Sequence, residues 1–172
     1  YRGEMHAVQT LTAESLRGVD IALFSAGSGI SKQFAPDAAK HGCAIVDNSS
    51  AFRMDKDIPL VVPEVNPDAL GPGKPSIRLP GGHGRIIANP NCTAIIMLMA
   101  LTPIRRVFGV ERIVVSTYQA ASGAGAKVID ELERLTRADL AGEPVTPHFF
   151  HEPYAFNLFS HNTPIDPATG LN

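Results

Sequence analysis

Cysteine is scarce, charge of either sign is not in excess, and no long apolar run interrupts the 172 residues. Two cysteines cannot build a disulfide scaffold, which points to a reducing compartment, taken as the cytoplasm. With 15 basic and 17 acidic side chains the net charge is −2, so the chain lacks the basic field that binding along a phosphate backbone requires. No nucleic-acid partner is expected. A membrane span needs about 18 consecutive apolar residues. The longest apolar stretch, around residues 94–101, falls short of that, so no membrane partner is expected either. The chain begins at Tyr1 without a charged, cleavable leader and ends on a turn-like Gly170, Leu171, Asn172, the pattern of an internal fragment.

What is present is an ordinary soluble composition, 44% hydrophobic and 19% charged, with strand and helix patterns in alternation. Residues 20–25 (DIALFS) read as a buried strand, and Ala26, Gly27, Ser28 and Gly29 as a glycine turn. Residues 30–41 read as a helix bent or restarted at Pro36 and ended by Gly42. Residues 43–47 form the next strand, followed by a polar loop of Asn48, Ser49 and Ser50; 60–65 is a short strand broken by Pro63. Residues 71–84 carry five glycines and three prolines and read as loop. Residues 85–88 are strand-like. A helix opens at Cys92 and runs to about Arg106, apolar nearly all round and so expected to be buried, with Pro103 bending or ending it. Residues 111–120 (ERIVVSTYQA) give the clearest strand signal, β-branched and alternating. A helix then follows the glycine turn at Gly123 and Gly125, to about Leu140. Lys127/Glu131, Asp130/Arg134 and Glu133/Arg137 are spaced for surface ion pairs, and Val128, Leu132 and Leu135 share the other side. Residues 141–155 are loop, and 154–160 one more strand. The pattern implies an α/β fold with a largely parallel sheet in the first half.

Cys92 is the sharpest chemical signal, because it follows Asn-Pro-Asn and opens a helix. Unpaired N–H groups and the positive dipole end of a first turn favour a thiolate, and a thiolate can attack a carbonyl carbon. The alternative is a small buried hydrophobe, the role assigned to Cys43 inside its strand. Gln119 ends the row Ile113, Val115, Thr117 at a strand's carboxyl end, where a carboxamide either orients a carbonyl or makes a structural hydrogen bond. Ser122, Gly123, Ala124 and Gly125 form a glycine-rich turn into a helix, a weak anion or cofactor contact by itself. Arg53 suits a phosphate or carboxylate, or is a solvated surface charge. His148 and His151 have no third ligand at metal-binding spacing, so no metal is expected; His41 is a helix-end residue and His83 lies in the 71–84 loop.

Taken together, Ser25-Ala26-Gly27, Asp47 through Met54 (DNSSAFRM), Val62 through Asn66 (VPEVN), Asn89 through Thr93 (NPNCT), Ser116 through Gly125 (STYQAASGAG) and Phe156 through Asn162 (FNLFSHN) resemble the bacterial-type aspartate-semialdehyde dehydrogenases, from about residue 4 to the end. The resemblance implies a truncated Rossmann-type cofactor domain over residues 1–90 and part of an α+β catalytic and dimerisation domain over 91–172. It implies NADP as cofactor, phosphate and a small-molecule substrate as partners, and a homodimer or homotetramer. The implied reaction is reductive dephosphorylation of L-aspartyl-4-phosphate to L-aspartate 4-semialdehyde, on the route to lysine through diaminopimelate, and to threonine, methionine and isoleucine. By the same resemblance Cys92 is the nucleophile that forms the acyl-thioester, and Gln119, Arg53 and Asn91 bind substrate, Arg53 through its phosphate. Ser122 and Gly123 contact cofactor. The family's pyrophosphate loop is expected before Tyr1, and its acid/base histidine, substrate arginine and phosphate lysine after Asn172, so the 172 residues alone are expected to be inactive. The competing readings are N-acetyl-glutamyl-phosphate reductase, malonyl-CoA reductase, or a non-catalytic dimerisation module.

Overall fold

A computed structural model describes residues 2–12, 14–71, 84–150, 152–159 and 168. His83, His151, most of the 71–84 loop and the end of the expected 154–160 strand lie outside these. The chain divides into two compact units, Tyr1–Val114 and Val115–Asn172.

The first unit is built on a three-stranded parallel sheet in the order β1-β2-β3, with β1 at Ile21–Phe24, β2 at Ala44–Asp47 and β3 at Ile86–Ala88. Helix α1, Ser28–Lys40, makes the β1-to-β2 crossover that a parallel pair requires. Pro36 sits inside α1 without ending it, and His41 is the C-cap, its N–H bonded to the carbonyls of Asp37 and Ala38. The register pairs Ile21 with Ala44 and Ile45 with Ile86, so the carboxyl ends of all three strands lie along one edge. The core lies between α1 and one face of the sheet: Ala35 and Ala38 from the helix, Phe24 and Ile45 from the strands, Cys43 from the residue just before β2, and Leu16 from a short 3-10 turn. Cys43 is wholly buried, and its desolvation pushes the thiol's pKa up, as a core cysteine requires.

Several expectations need correction. The strand at 20–25 is buried on one face only, for Ile21 and Leu23 are 62% and 80% exposed on the face away from α1. An unbroken apolar run promises two covered faces, but the described residues cover one. The expected strand at 60–65 shrinks to a single parallel bridge, Leu60 to Ala88, after which Val62 to Asn66 turns back: the N–H groups of Val65 and Asn66 both bond to Val62 O at 2.9 Å. Pro63, without an N–H, cannot extend the ladder. Helix α2, Cys92–Phe108, passes through Pro103 but is not buried; only Thr102 is, and Phe108 is 84% exposed. Its apolar circumference asks for a cover that the described residues do not supply. Residues 111–120 form no strand, and Val114 is 83% exposed. β-branched alternation marks a segment able to pair, yet a strand exists only where an edge receives it.

The second unit holds a 3-10 turn at Ala121–Ala124 and helix α3, Ala126–Ala141. Val128 and Leu135 are buried as the spacing implies, and Glu133 pairs with Arg137. Glu131 departs from the expected surface pair with Lys127. It is buried, and its carboxylate accepts the backbone N–H groups of His148 at 3.0 Å and Phe149 at 3.2 Å, pinning the following loop to the helix. Arg134 accordingly approaches Glu131 rather than Asp130, at 3.9 Å, and donates to Thr146 O at 2.8 Å. The described part of 154–160 is not a strand: the chain turns at Phe156, whose φ is +50°, and Phe150, Tyr154 and Phe159 pack with ring centroids 5.3–5.4 Å apart.

Candidate active site

In open parallel sheets ligands gather at the carboxyl edge of the strands. The two loops leaving that edge, 48–53 after β2 and 89–91 after β3, carry two of the expected residues, Arg53 and Asn91, and the second leads directly into Cys92. Asn91 is the N-cap of α2, with extended backbone and a side-chain Oδ1 that accepts from Thr93 N at 3.0 Å and from Thr93 Oγ1 at 2.5 Å. This satisfies one of the otherwise unpaired N–H groups of the first turn. Cys92 is the first residue of the helix and is exposed, its Sγ 4.0 Å from Asn91 Oδ1. The two cysteines therefore part company: Cys43 is core and Cys92 is presented to solvent at a helix start. Asn91→Ala should cost about 1 kcal/mol, read as a lowered urea midpoint at unchanged m-value.

Arg53 is partly buried and held in place. Its Nε donates to Asn89 O at 2.9 Å and its Nη2 to Asn48 O at 3.1 Å, while Asn89 Nδ2 donates to Asn48 Oδ1 at 2.8 Å. The guanidinium thus ties the two edge loops together, three residues before Cys92, and these bonds engage two of its five N–H donors. It is neither a free surface charge nor an arginine consumed by a carboxylate.

The other expected residues belong to the second unit. Gln119 is exposed, and its backbone carbonyl accepts from Tyr154 Oη at 3.0 Å. The strand face on which the sequence places it is not formed. Ser122 and Gly123 are exposed within the 3-10 turn, where Gly123 N–H bonds to Ala120 O at 3.3 Å. Gly125, at φ +100°, caps α3, a conformation that favours glycine. Among the described residues no cluster of three or more His, Cys, Asp or Glu could hold a metal, and no helix is long and apolar enough to cross a membrane.

Sequence reasoning passed over Asp47, Asn48 and Asn89, which build the platform beneath Arg53, and Glu131. The density of Asp, Asn and Ser immediately after β2 was the available signal.

Comparison with known proteins agrees with this architecture. Residues 1–72 match the family model for the semialdehyde dehydrogenase NAD binding domain, and residues 101–169 match the semialdehyde dehydrogenase dimerisation domain. The aspartate-semialdehyde dehydrogenase of Aquifex aeolicus is 49% identical over 164 residues, 94% of this chain and 46% of that protein. That of Bacillus subtilis is 45% identical over 164 residues, 91% of this chain and 44% of that protein. The crystal structure of aspartate semialdehyde dehydrogenase II of Vibrio cholerae complexed with ASA aligns at TM-score 0.68 and 50% identity, covering 81% of this chain and 39% of that one. The chain spans about half the length of the curated relatives it matches. With two consecutive family models taking in most of its residues, and sequence likeness of 49% extending over 94% of its length, this chain belongs to the semialdehyde dehydrogenase family.

Proposed function

We propose that the full-length protein is an NADP-dependent aspartate-semialdehyde dehydrogenase. It would convert L-aspartyl-4-phosphate to L-aspartate 4-semialdehyde through an acyl-thioester on Cys92, in the biosynthesis of lysine, threonine, methionine and isoleucine. One observation carries the reading: an exposed cysteine opens α2 beside a loop to which an arginine is bonded. The Cys92 sulfur attacks the acyl carbon, the C–S bond forms, and the C–O bond to phosphate breaks with both electrons leaving on phosphate. Backbone N–H groups at the start of α2 are disposed to receive the oxyanion. Arg53 receives the departing phosphate with the donors it does not spend on Asn48 and Asn89. Asn91 holds the first turn and contacts substrate, and Gln119 orients the acyl carbonyl.

At the 3-10 turn Ser122 is exposed and Gly123 is open to approach, a Cβ there meeting nothing within 4 Å, which is compatible with a cofactor contact. Ser122 and Gly123 would hold that group, which when bound supplies two-electron hydride exchange at the acyl carbon. The family model over residues 1–72 and the dimerisation model over 101–169 support this cofactor class and a homodimer or homotetramer. We place the boundary between cofactor domain (1–90) and catalytic domain (91–172) just before the nucleophile, and the protein in the cytoplasm.

The test is NADPH formation by the full-length protein with L-aspartate 4-semialdehyde and phosphate, beside N-acetyl-glutamate semialdehyde with phosphate and malonate semialdehyde with coenzyme A as the acyl acceptor. Turnover should be confined to the first, and preference for either of the others would overturn the assignment. In the same assay Arg53→Ala should raise the KM for phosphate about 10- to 100-fold, the loss of a charge-assisted contact worth roughly 1.5–3 kcal/mol.

A further inference from the structure

Asp47, the last residue of β2, is completely buried, an expensive place for a carboxylate. It is fully occupied there. It accepts from Ser31 Oγ of α1 at 2.6 Å, from Ser49 Oγ at 2.8 Å and from Ser49 N at 3.1 Å. Ser31 is wholly buried too. Ser49 Oγ accepts in turn from Ala51 N at 3.1 Å, so two successive side-chain-to-backbone turns wind residues 47–51 into one shape.

That shape bears on Arg53. Asn48, held between Asp47 and Ser49, supplies the carbonyl that accepts Arg53 Nη2. The second anchor, Asn89 O, belongs to the residue whose N–H bonds to Asp47 O at 2.8 Å. Both carbonyls that aim the guanidinium are therefore tied to residue 47, one by chain connection and turn geometry, the other by a backbone hydrogen bond. An apolar residue at this position would fill the core without the desolvation cost, but it could not receive the two serine hydroxyls and the Ser49 N–H.

We propose that Asp47, with Ser31 and Ser49, is a positioning residue for Arg53, fixing the guanidinium at the sheet edge so that its remaining donors meet phosphate. The inference rests on the reading of Arg53 as the phosphate contact. It links the α1 face of the core to the reactive edge through one buried carboxylate.

Binding of inorganic phosphate to the full-length protein, measured by calorimetry, tests this without need of turnover. The set is the unmutated protein, Asp47→Asn, Arg53→Gln, their double variant, and Ser31→Ala as a milder change; thermal melts accompany each. Asp47→Asn should weaken phosphate binding about tenfold and Ser31→Ala about threefold, and the double variant should bind no more weakly than Arg53→Gln alone. Strict additivity of the two single losses, or unchanged binding in Asp47→Asn and Ser31→Ala while Arg53→Gln is weakened, overturns the positioning role and leaves the Arg53 reading standing. If Asp47→Asn does not fold, Ser31→Ala decides. Unchanged binding in Arg53→Gln, or none by the unmutated protein, overturns the Arg53 reading and the proposal with it.

Discussion

Cys92→Ser should lower turnover by the full-length protein at least about a thousandfold, the scale on which loss of a nucleophile acts, while leaving thermal stability almost unchanged. The second half of that expectation separates a chemical role from a structural one. The Cys92 sulfur is exposed, so replacing it creates no cavity and buries no hydroxyl. Mass spectrometry after mixing with the semialdehyde and oxidised cofactor should find an acyl adduct on the unmutated protein and none on the variant. Thiol labelling provides an independent reading. In the native protein iodoacetamide should modify Cys92 and should reach Cys43 only on unfolding, each followed by mass spectrometry of its own peptide. Cys43 is held out of reach by its burial and by the same desolvation that raises its pKa. Near-normal turnover in Cys92→Ser would falsify the thioester route.

Gly84→Ala should be the most damaging single-methyl change in the first unit. Gly84 lies where the chain enters β3, with its N–H bonded to Ala39 O at 2.6 Å, and the next carbonyl, Arg85 O, accepts from Ile45 N at 2.7 Å. A Cβ added there would fall inside the van der Waals envelope of the Cys43 carbonyl and within 2.6 Å of Cys43 N. The obstacle is backbone, which no rotamer change relieves. Relief requires β2 and β3 to part at the start of their ladder. The expected loss exceeds about 4 kcal/mol, a large share of the roughly 5–15 kcal/mol that holds an ordinary domain together. Gly29→Ala is the control. It lies in the first turn of α1 and a Cβ there meets nothing within 4 Å, so alanine should leave stability unchanged or raise it by up to about 1 kcal/mol. Chemical denaturation of both variants checks the pair; equal midpoints would show that the Gly84 approach is not tight.

The parts of this chain that were legible in advance are those whose causes are local. β1, α1, β2, β3, α2 and α3 were read within a few residues because each is bracketed by its own punctuation: Gly42 after α1, Asn91 before Cys92, Gly125 before α3. The Cys92 setting was legible for the same reason, since an Asn cap followed by a thiol needs only adjacent residues. The failures share the opposite character. Ile113, Val114 and Val115 carry every local mark of a strand, yet pairing depends on an edge elsewhere in space. The α2 residues Ile96, Met99 and Ile104 are expected in a core because they are apolar, although burial is a property of neighbours. Glu131 errs the other way: an acid expected on the surface turns inward because backbone N–H groups converge on it, as the Ser49 N–H and two hydroxyls converge on Asp47 at the end of β2. Periodicity ranks residues by type and cannot foresee a partner 17 positions away, as His148 is from Glu131.

The double duty of Asn91 has a further consequence. One carboxamide oxygen both closes the first turn of α2 through Thr93 and lies against the sulfur of Cys92. Fraying of that turn and displacement of the thiol are then one motion rather than two. Heating should blunt the reagent before the domain melts, and no substitution at residue 91 can tune reactivity while leaving the helix's opening untouched.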